Sequence, residues 1–343
     1  MTRVLAPARI PRPDDVDRVV MASRATSIDS VYGQMERIRA AALRQNVPAG
    51  VHGVLVYLSG WYLLWVEGPS AGVREALRRV ARDPRHYSPR VLHFSQGPRL
   101  LPTPWSMMML PSSDTADAVG QRVDALRTLL LSGRQFSPTS VLRRVAAPFG
   151  LPLGAGVTDP ESFHRVGICA AESAPAFGLV RWIAGQQGQP TRHRRVAGEE
   201  GLDAGMDQVD ILVDNLPCRL NALPWQSLVH GLLRVYLPEW QHMLMLFGGS
   251  VRGDETLMQR MVKAAAELPE PTSLLASAPD EETHARMAAI AAPAGLPYEP
   301  IAVASSQDHA VLWRALAAHI RRLGPPAGSE WAVPEGALLE LAA

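Results

Sequence analysis

Lysine is nearly missing from this chain: of 34 basic residues in 343, only Lys263 is a lysine. Much chemistry goes with it, because a phosphate-cradling loop of the Walker type needs its lysine and Schiff-base catalysis needs a buried one. Cysteine is scarce as well. Cys169 and Cys218 can form one disulfide at most and no cysteine-based zinc centre, as suits a reduced, cytoplasmic protein. No stretch reaches the roughly 18 consecutive apolar residues of a membrane helix, and the opening MTRVLAPARIPRPDDVDR lacks the apolar core of an export signal. Charge of one sign is not in excess either, since 34 Lys+Arg against 33 Asp+Glu leave a formal +1. Bulk charge therefore argues against a nucleic-acid or membrane-surface protein, although it leaves a local patch open. The ten histidines show no HxxxH or HExxH spacing, so no metal is expected.

What is present is globular: 47% hydrophobic and 20% charged residues, enough for two domains of ordinary size. Residues 1–16, rich in proline with alternating charges, read as a disordered leader. A strand over 17–23 precedes a helix over about 29–45, capped by Ser27 or Asp29, with Val31, Met35, Ile38 and Ala42 at helical spacing. Two apolar runs, Gly53–Leu58 and Trp61–Val66, flank Ser59-Gly60 and predict a hairpin. A second amphipathic helix carries Val73, Leu77 and Val80 and stops near Asp83-Pro84. Strands at 90–95 and 105–110 complete the order βαββαββ, a ferredoxin-like α+β arrangement with two helices on one sheet face.

The stretch from 17 to about 110 resembles a BLUF domain, a blue-light sensor that holds FAD between two such helices. The matching residues are Ser23-Arg24-Ala25-Thr26, Asn46, Gly53–Tyr57, Glu67-Gly68-Pro69, Asp83–Tyr87 and Trp105-Ser106-Met107. The resemblance implies flavin-pocket positions at Met21, Ser23, Arg24, Asn46, His52, Leu64, Trp105 and Met107. It also implies a light-driven relay between a tyrosine and a glutamine, and here those positions are Met21 and Leu64. A thioether donates no proton and leucine has no polar atom. His52 stands where the family has threonine, and Asn46, retained, would pair with the flavin edge or serve as a helix C-cap. Met107–Met109 reads as adaptable core.

Helices at 115–132 and 138–147 follow, carrying Val119, Val123, Leu126, Leu130 and Val141, Leu142, Val145. By resemblance, residues 113–147 form the output element after a BLUF-like domain spanning 17–112. A Gly/Pro-rich linker covers 148–162, an α/β domain 163–325, and a tail 326–343. Strands at 164–170, 209–215, 242–247, 273–277 and 298–304 alternate with helices at 178–187, 225–237, 253–267, 280–293 and 306–322. This alternation predicts a doubly wound, mainly parallel sheet, resembling small GTPases or Rossmann-like proteins at the level of pattern. The phosphate loop is missing, with Glu172 where phosphate would sit and no lysine or hydroxyl after Gly178. Asp210 and Asp214 resemble a magnesium-holding position but read as a solvated strand end. Arg192–Arg195 reads as a solvated charge run, and Ser305–His309 as a helix cap rather than a catalytic triad.

The expected function is regulation through protein–protein contact, without a flavin photocycle and without enzymatic activity. FAD is not expected to be bound, and a flavin-retaining light or redox sensor is the alternative; a non-canonical nucleotide-binding protein is the second. The expected partner is another protein or a second protomer, met through the 115–147 helices and the α/β domain, with no membrane or nucleic acid.

Overall fold

The computed structural model describes residues 14–26, 31–110, 112, 114–152, 162–197, 203–229, 240, 242–266, 272–301, 305, 307–326 and 330–332. Two compact units result: one runs to Pro148 and takes in Glu330–Ala332, and the other begins at Phe149. The leader up to residue 13, the caps at Ser27 and Asp29, and most of the linker and tail lie outside the described residues.

In the first unit, β1 (Val16–Ala25), α1 (Val31–Asn46), β2 (His52–Leu58), β3 (Trp61–Gly68), α2 (Ser70–Ala81), β4 (His86–Gly97) and β5 (Trp105–Met109) follow the predicted order. The hairpin turn is Ser59-Gly60, with φ of 45° and 80°. Positive φ at both central residues gives the right-twisted two-residue turn that keeps β2 and β3 in register. Helix α1 runs into a short 3-10 turn containing Pro48 and stops at Gly50, whose φ is 67°. Proline cannot continue the ladder, and glycine takes the left-handed position without strain.

The five strands lie in the order β4-β1-β3-β2-β5, all antiparallel except the β2–β5 pair. Strand alternation divides the side chains between two faces. One face carries Val19, Met21, Leu55, Tyr62, Leu64, Val66, Trp105 and Met107, packed with Val31 and Met35 of α1 and Val73 and Ala76 of α2. Residues of the other parity meet α3 (Ala116–Leu131), where the Trp61 indole N–H donates to Ala116 O at 2.8 Å. α4 (Pro138–Ala146) packs on β1 and β4. Both helices end their free N–H groups on side-chain caps, Thr115 and Ser137. Two short strands escaped sequence reading: β6 (Arg134–Phe136) pairs with β14 (Glu330–Ala332). The tail expected at 326–343 thus contributes a strand to the first unit.

The second unit holds β7 (His164–Ala170), α5 (Ala174–Gln186), β8 (Arg192–Ala197), β9 (Asp203–Val213), β10 (Leu216–Pro224), β11 (His242–Leu246), α6 (Val251–Ala265), β12 (Ser273–Ser277), α7 (Glu281–Ala291), β13 (Tyr298–Ile301) and α8 (His309–Leu323). Its sheet runs β13-β12-β11-β7-β10-β9-β8. The pairs β13–β12, β12–β11, β11–β7 and β7–β10 are parallel, and β10–β9 is antiparallel. Helices α5 and α8 cover one face, α6 and α7 the other. A doubly wound class is thereby met, with two corrections. The charge run Arg192–Arg195 is part of β8. Strand β10 lies where no strand was expected; Asp214-Asn215, with φ of 49° and 67°, is a hairpin turn rather than a strand end. The helix expected over 225–237 begins as a 3-10 turn at Trp225–Val229, and the rest lies outside the described residues.

Candidate functional site

Met21 and Leu64 are direct partners across the β1–β3 pair, Leu64 faces Leu55 across β3–β2, and Leu55 faces Met107 across β2–β5. Because directly opposed residues share a face, these four side chains form a continuous apolar row across the sheet beneath α1 and α2. Their exposures of 4–9% contrast with 0% for Val20, Leu63 and Trp65 on the other face. The helix-covered side is therefore the less tightly sealed of the two. Trp105 closes one side of this row. Its ring lies against Gly53, where a Cβ would come within 2.6 Å of the ring, so only glycine admits it. The Trp105 indole N–H is buried and meets no acceptor among the described residues.

The remaining positions implied by the resemblance scatter. Ser23 shares the face of the row, opposite Tyr62. Asn46, at the end of α1, is buried, and its Oδ1 accepts from Arg79 Nη2 of α2 at 2.8 Å. This amide thus ties the two helices together. His52 and Arg24 have the other parity. The His52 Nδ1 lies 2.9 Å from Leu101 O, and burial lowers its pKa. Arg24 sits over the Trp61 ring at 5.5 Å and pairs with Asp117 of α3 at 3.3 Å. The row of Met21, Leu55, Leu64 and Met107 fits one face of a planar ring. Of the polar strand positions implied by the resemblance, Ser23 shares the row's face, whereas His52 and Arg24 lie on the other.

Sequence reading missed the polar groups nearest the row. The Tyr62 hydroxyl donates to Gln34 Oε1 of α1 at 3.2 Å, and Tyr62 meets Tyr57 edge-on at 5.5 Å. Burial raises the Tyr62 pKa, so the phenol stays protonated. On the opposite face Glu67, fully buried, accepts from the N–H groups of Leu100 and Leu101 at 2.7 and 2.9 Å. Arg18 stands 3.8 Å away. The matching triplet Glu67-Gly68-Pro69 thus holds the loop after β4 in place. His93, also fully buried, bonds Ser95 Oγ at 2.7 Å, and burial takes its pKa to about 3. No spacing rule marks the Tyr62–Gln34 and Glu67–Leu100 pairs, because each joins segments about thirty residues apart, whereas His93 and Ser95 lie two apart on one strand.

In the second unit, Asp210 is no solvated strand end: it is buried and grips Arg219 through two bonds of 2.7 and 2.9 Å. Asp214, in the turn at the other end of β10 from Pro224, pairs with Arg321. Arg192 approaches Asp210 at 3.6 Å and His193 meets Asp207 at 2.6 Å, so the basic run is partly spent on buried carboxylates. Between β7 and α5 lie three residues, Ala171-Glu172-Ser173, and α5 starts before Gly178 rather than at it. Ser305 accepts from Gln307 N, whereas Asp308 caps α8; His309 packs against Trp182. Three imidazoles do gather: His242 lies 4.9 Å from His319 and 6.3 Å from His164, ring centre to ring centre. Among the described residues no group of three side chains is arranged to hold a metal ion.

A family model described as sensors of blue-light using FAD, BLUF, matches residues 17–108. Solved structures with likeness include "BlsA ground state", 20% identical over 27% of this chain and 64% of that one, TM-score 0.26. Another is "BlrB - a BLUF protein, dark state structure", 25% identical over 39% of this chain and 97% of that one, TM-score 0.27. A third is Klebsiella pneumoniae BlrP1 in a manganese/cy-diGMP complex, 12% identical over 82% of this chain and 74% of that one, TM-score 0.27. No curated protein matches. Residues 17–108 of this chain are a BLUF domain.

Proposed function

We propose that this chain is a regulatory protein whose BLUF domain no longer runs a flavin relay and instead signals through protein contacts. The observation that carries the reading is the Met21–Leu64 pair. These residues face each other at the centre of the sheet, and neither can donate or accept the proton a relay needs. Asn46 supports it, because its amide oxygen is engaged by Arg79. Leu131, which ends α3 with 62% of its surface exposed, is where a contact made through this helix can be tested. The second unit would serve as a docking scaffold. Its resemblance to GTPase-like folds is supported by the sheet order, while a three-residue turn carrying Glu172 in place of a phosphate loop argues against triphosphate hydrolysis.

A second reading, a sensor that keeps FAD without the relay, draws on the less sealed apolar row and the Tyr62–Gln34 pair beside it. Equilibrium dialysis of the full chain against FAD, with the absorption spectrum of the protein as purified, separates the two. The proposal expects a colourless protein and no retained FAD. A yellow protein with stoichiometric flavin would transfer the assignment to the second reading.

A further inference from the structure

The two helices over the apolar row carry a charge that the whole-chain balance conceals. Residues 31–46 and 70–85 hold eight arginines against three carboxylates, a net of +5 in a chain whose total is +1. Some of these arginines are already engaged: Arg78 and Arg79 with Glu75, Arg85 with Asp83, and Arg39 with Glu36. The guanidinium groups of Arg37, Arg44, Arg74 and Arg82 are exposed and make no ion pair or hydrogen bond among the described residues.

Helical spacing sets them in two lines. Arg37, Ala40 and Arg44 stand at i, i+3 and i+7 on α1; Ala71, Arg74, Arg78 and Arg82 follow the same stripe of α2 and its end. Ala40 stands between Arg37 and Arg44, Ala71 precedes Arg74 and Ala81 adjoins Arg82, and all three alanines are exposed. A protein–protein hot spot needs a bulky anchor buried in a pocket, and a membrane-lying helix needs large apolar residues facing the lipid. These stripes offer neither. Exposed guanidinium groups in line, four of them unpaired and flanked by methyl-sized side chains, suit a regularly charged backbone that approaches closely, since each fork can take a phosphate through two bonds.

We infer that the outer surface of α1 and α2 is a docking face for the phosphate backbone of duplex nucleic acid, read by charge and spacing rather than by sequence. Such binding is governed by counterion release, with a slope of log K against log salt of about −0.9 for each phosphate neutralised. Four free arginines therefore set a slope of about −3 to −4.

The test is fluorescence anisotropy of a labelled 20-base-pair DNA duplex titrated with the full chain over a series of NaCl concentrations. The expected result is saturable binding at low salt with that slope and with the same affinity for an unrelated duplex sequence. The quadruple variant R37E/R44E/R74E/R82E should lose binding by at least about a hundredfold. All four side chains are exposed and unpaired, so its thermal transition should stay with that of the parent and serve as the folding control. A second variant, R127E/R314E, reverses exposed charges elsewhere and should bind like the parent. Absence of binding at low salt would overturn the inference, as would equal binding by the quadruple variant. Preference for poly-glutamate or for phosphatidylglycerol vesicles over DNA would also overturn it, in favour of an acidic protein or a lipid surface.

Discussion

A thioether faces an isobutyl group across β1 and β3, and that pairing has a thermodynamic consequence. Placing an amide there alone, Leu64→Gln, buries donors and an acceptor without partners and should cost about 1–3 kcal/mol. Adding Met21→Tyr on the directly opposed residue supplies a hydroxyl within reach. A urea-denaturation double-mutant cycle should then give a favourable coupling of about 0.5–3 kcal/mol. Strict additivity would mean that the two positions do not face one another. Buried imidazoles set a second expectation. Burial, with His319 and His164 beside it, lowers the His242 pKa to about 4, and burial takes His93 to about 3. In the unfolded chain both groups titrate near 6.5, so between that value and the folded one the unfolded state binds more protons. Stability should hold above pH 6.5 and fall progressively as the pH drops towards 4. Thermal melts from pH 7.5 to 4.5 check this, and His242→Asn should flatten the pH dependence of the second unit; an unchanged slope would remove His242 as its source.

At the level of elements, α3 carries neighbouring leucines with opposite fates. Leu130 is 2% exposed within the first unit, so Leu130→Asp buries an uncompensated carboxylate and should cost several kcal/mol, unfolding that unit. Leu131→Asp lies in solvent and should leave stability within about 0.5 kcal/mol while weakening any association made through this helix. Chemical denaturation and sedimentation of both variants separate fold from contact; equal destabilisation by both would contradict the assignment of faces. These elements also show what a sequence makes legible. Helices α1–α4 and the β2–β3 hairpin follow from apolar period and a Ser-Gly turn, local signals that survive folding unchanged. Strand β10 did not, because Leu216–Pro224 mixes proline, arginine and asparagine, and the Asp214-Asn215 turn that makes it a hairpin reads equally well as a polar strand end. Strands β6 and β14 were invisible for another reason: three residues each, they exist only because distant segments pair. The same limit applies to the site. Met21, Leu64 and Met107 could be placed on one row from alternation and resemblance, but the Asn46–Arg79 tie and the turn of His52 to the other face depend on tertiary packing.

On the scale of the whole molecule, two compact units share a common feature: scaffolds recognisable from pattern, with the groups expected to do chemistry replaced by core or by internal pairs. In the first unit the positions that resemblance assigns to the relay are Met21 and Leu64, and the Asn46 amide oxygen accepts from Arg79; in the second, a three-residue turn with Glu172 follows β7. The proposed regulation by contact rests on the Met21–Leu64 pair. The most direct measurement is a light-minus-dark difference spectrum of the full-length protein after incubation with excess FAD, recorded beside the M21Y/L64Q variant. The account predicts a flat difference spectrum in the unchanged protein under blue illumination, whether or not flavin is retained. A reversible red shift of the flavin band in the unchanged protein would contradict it.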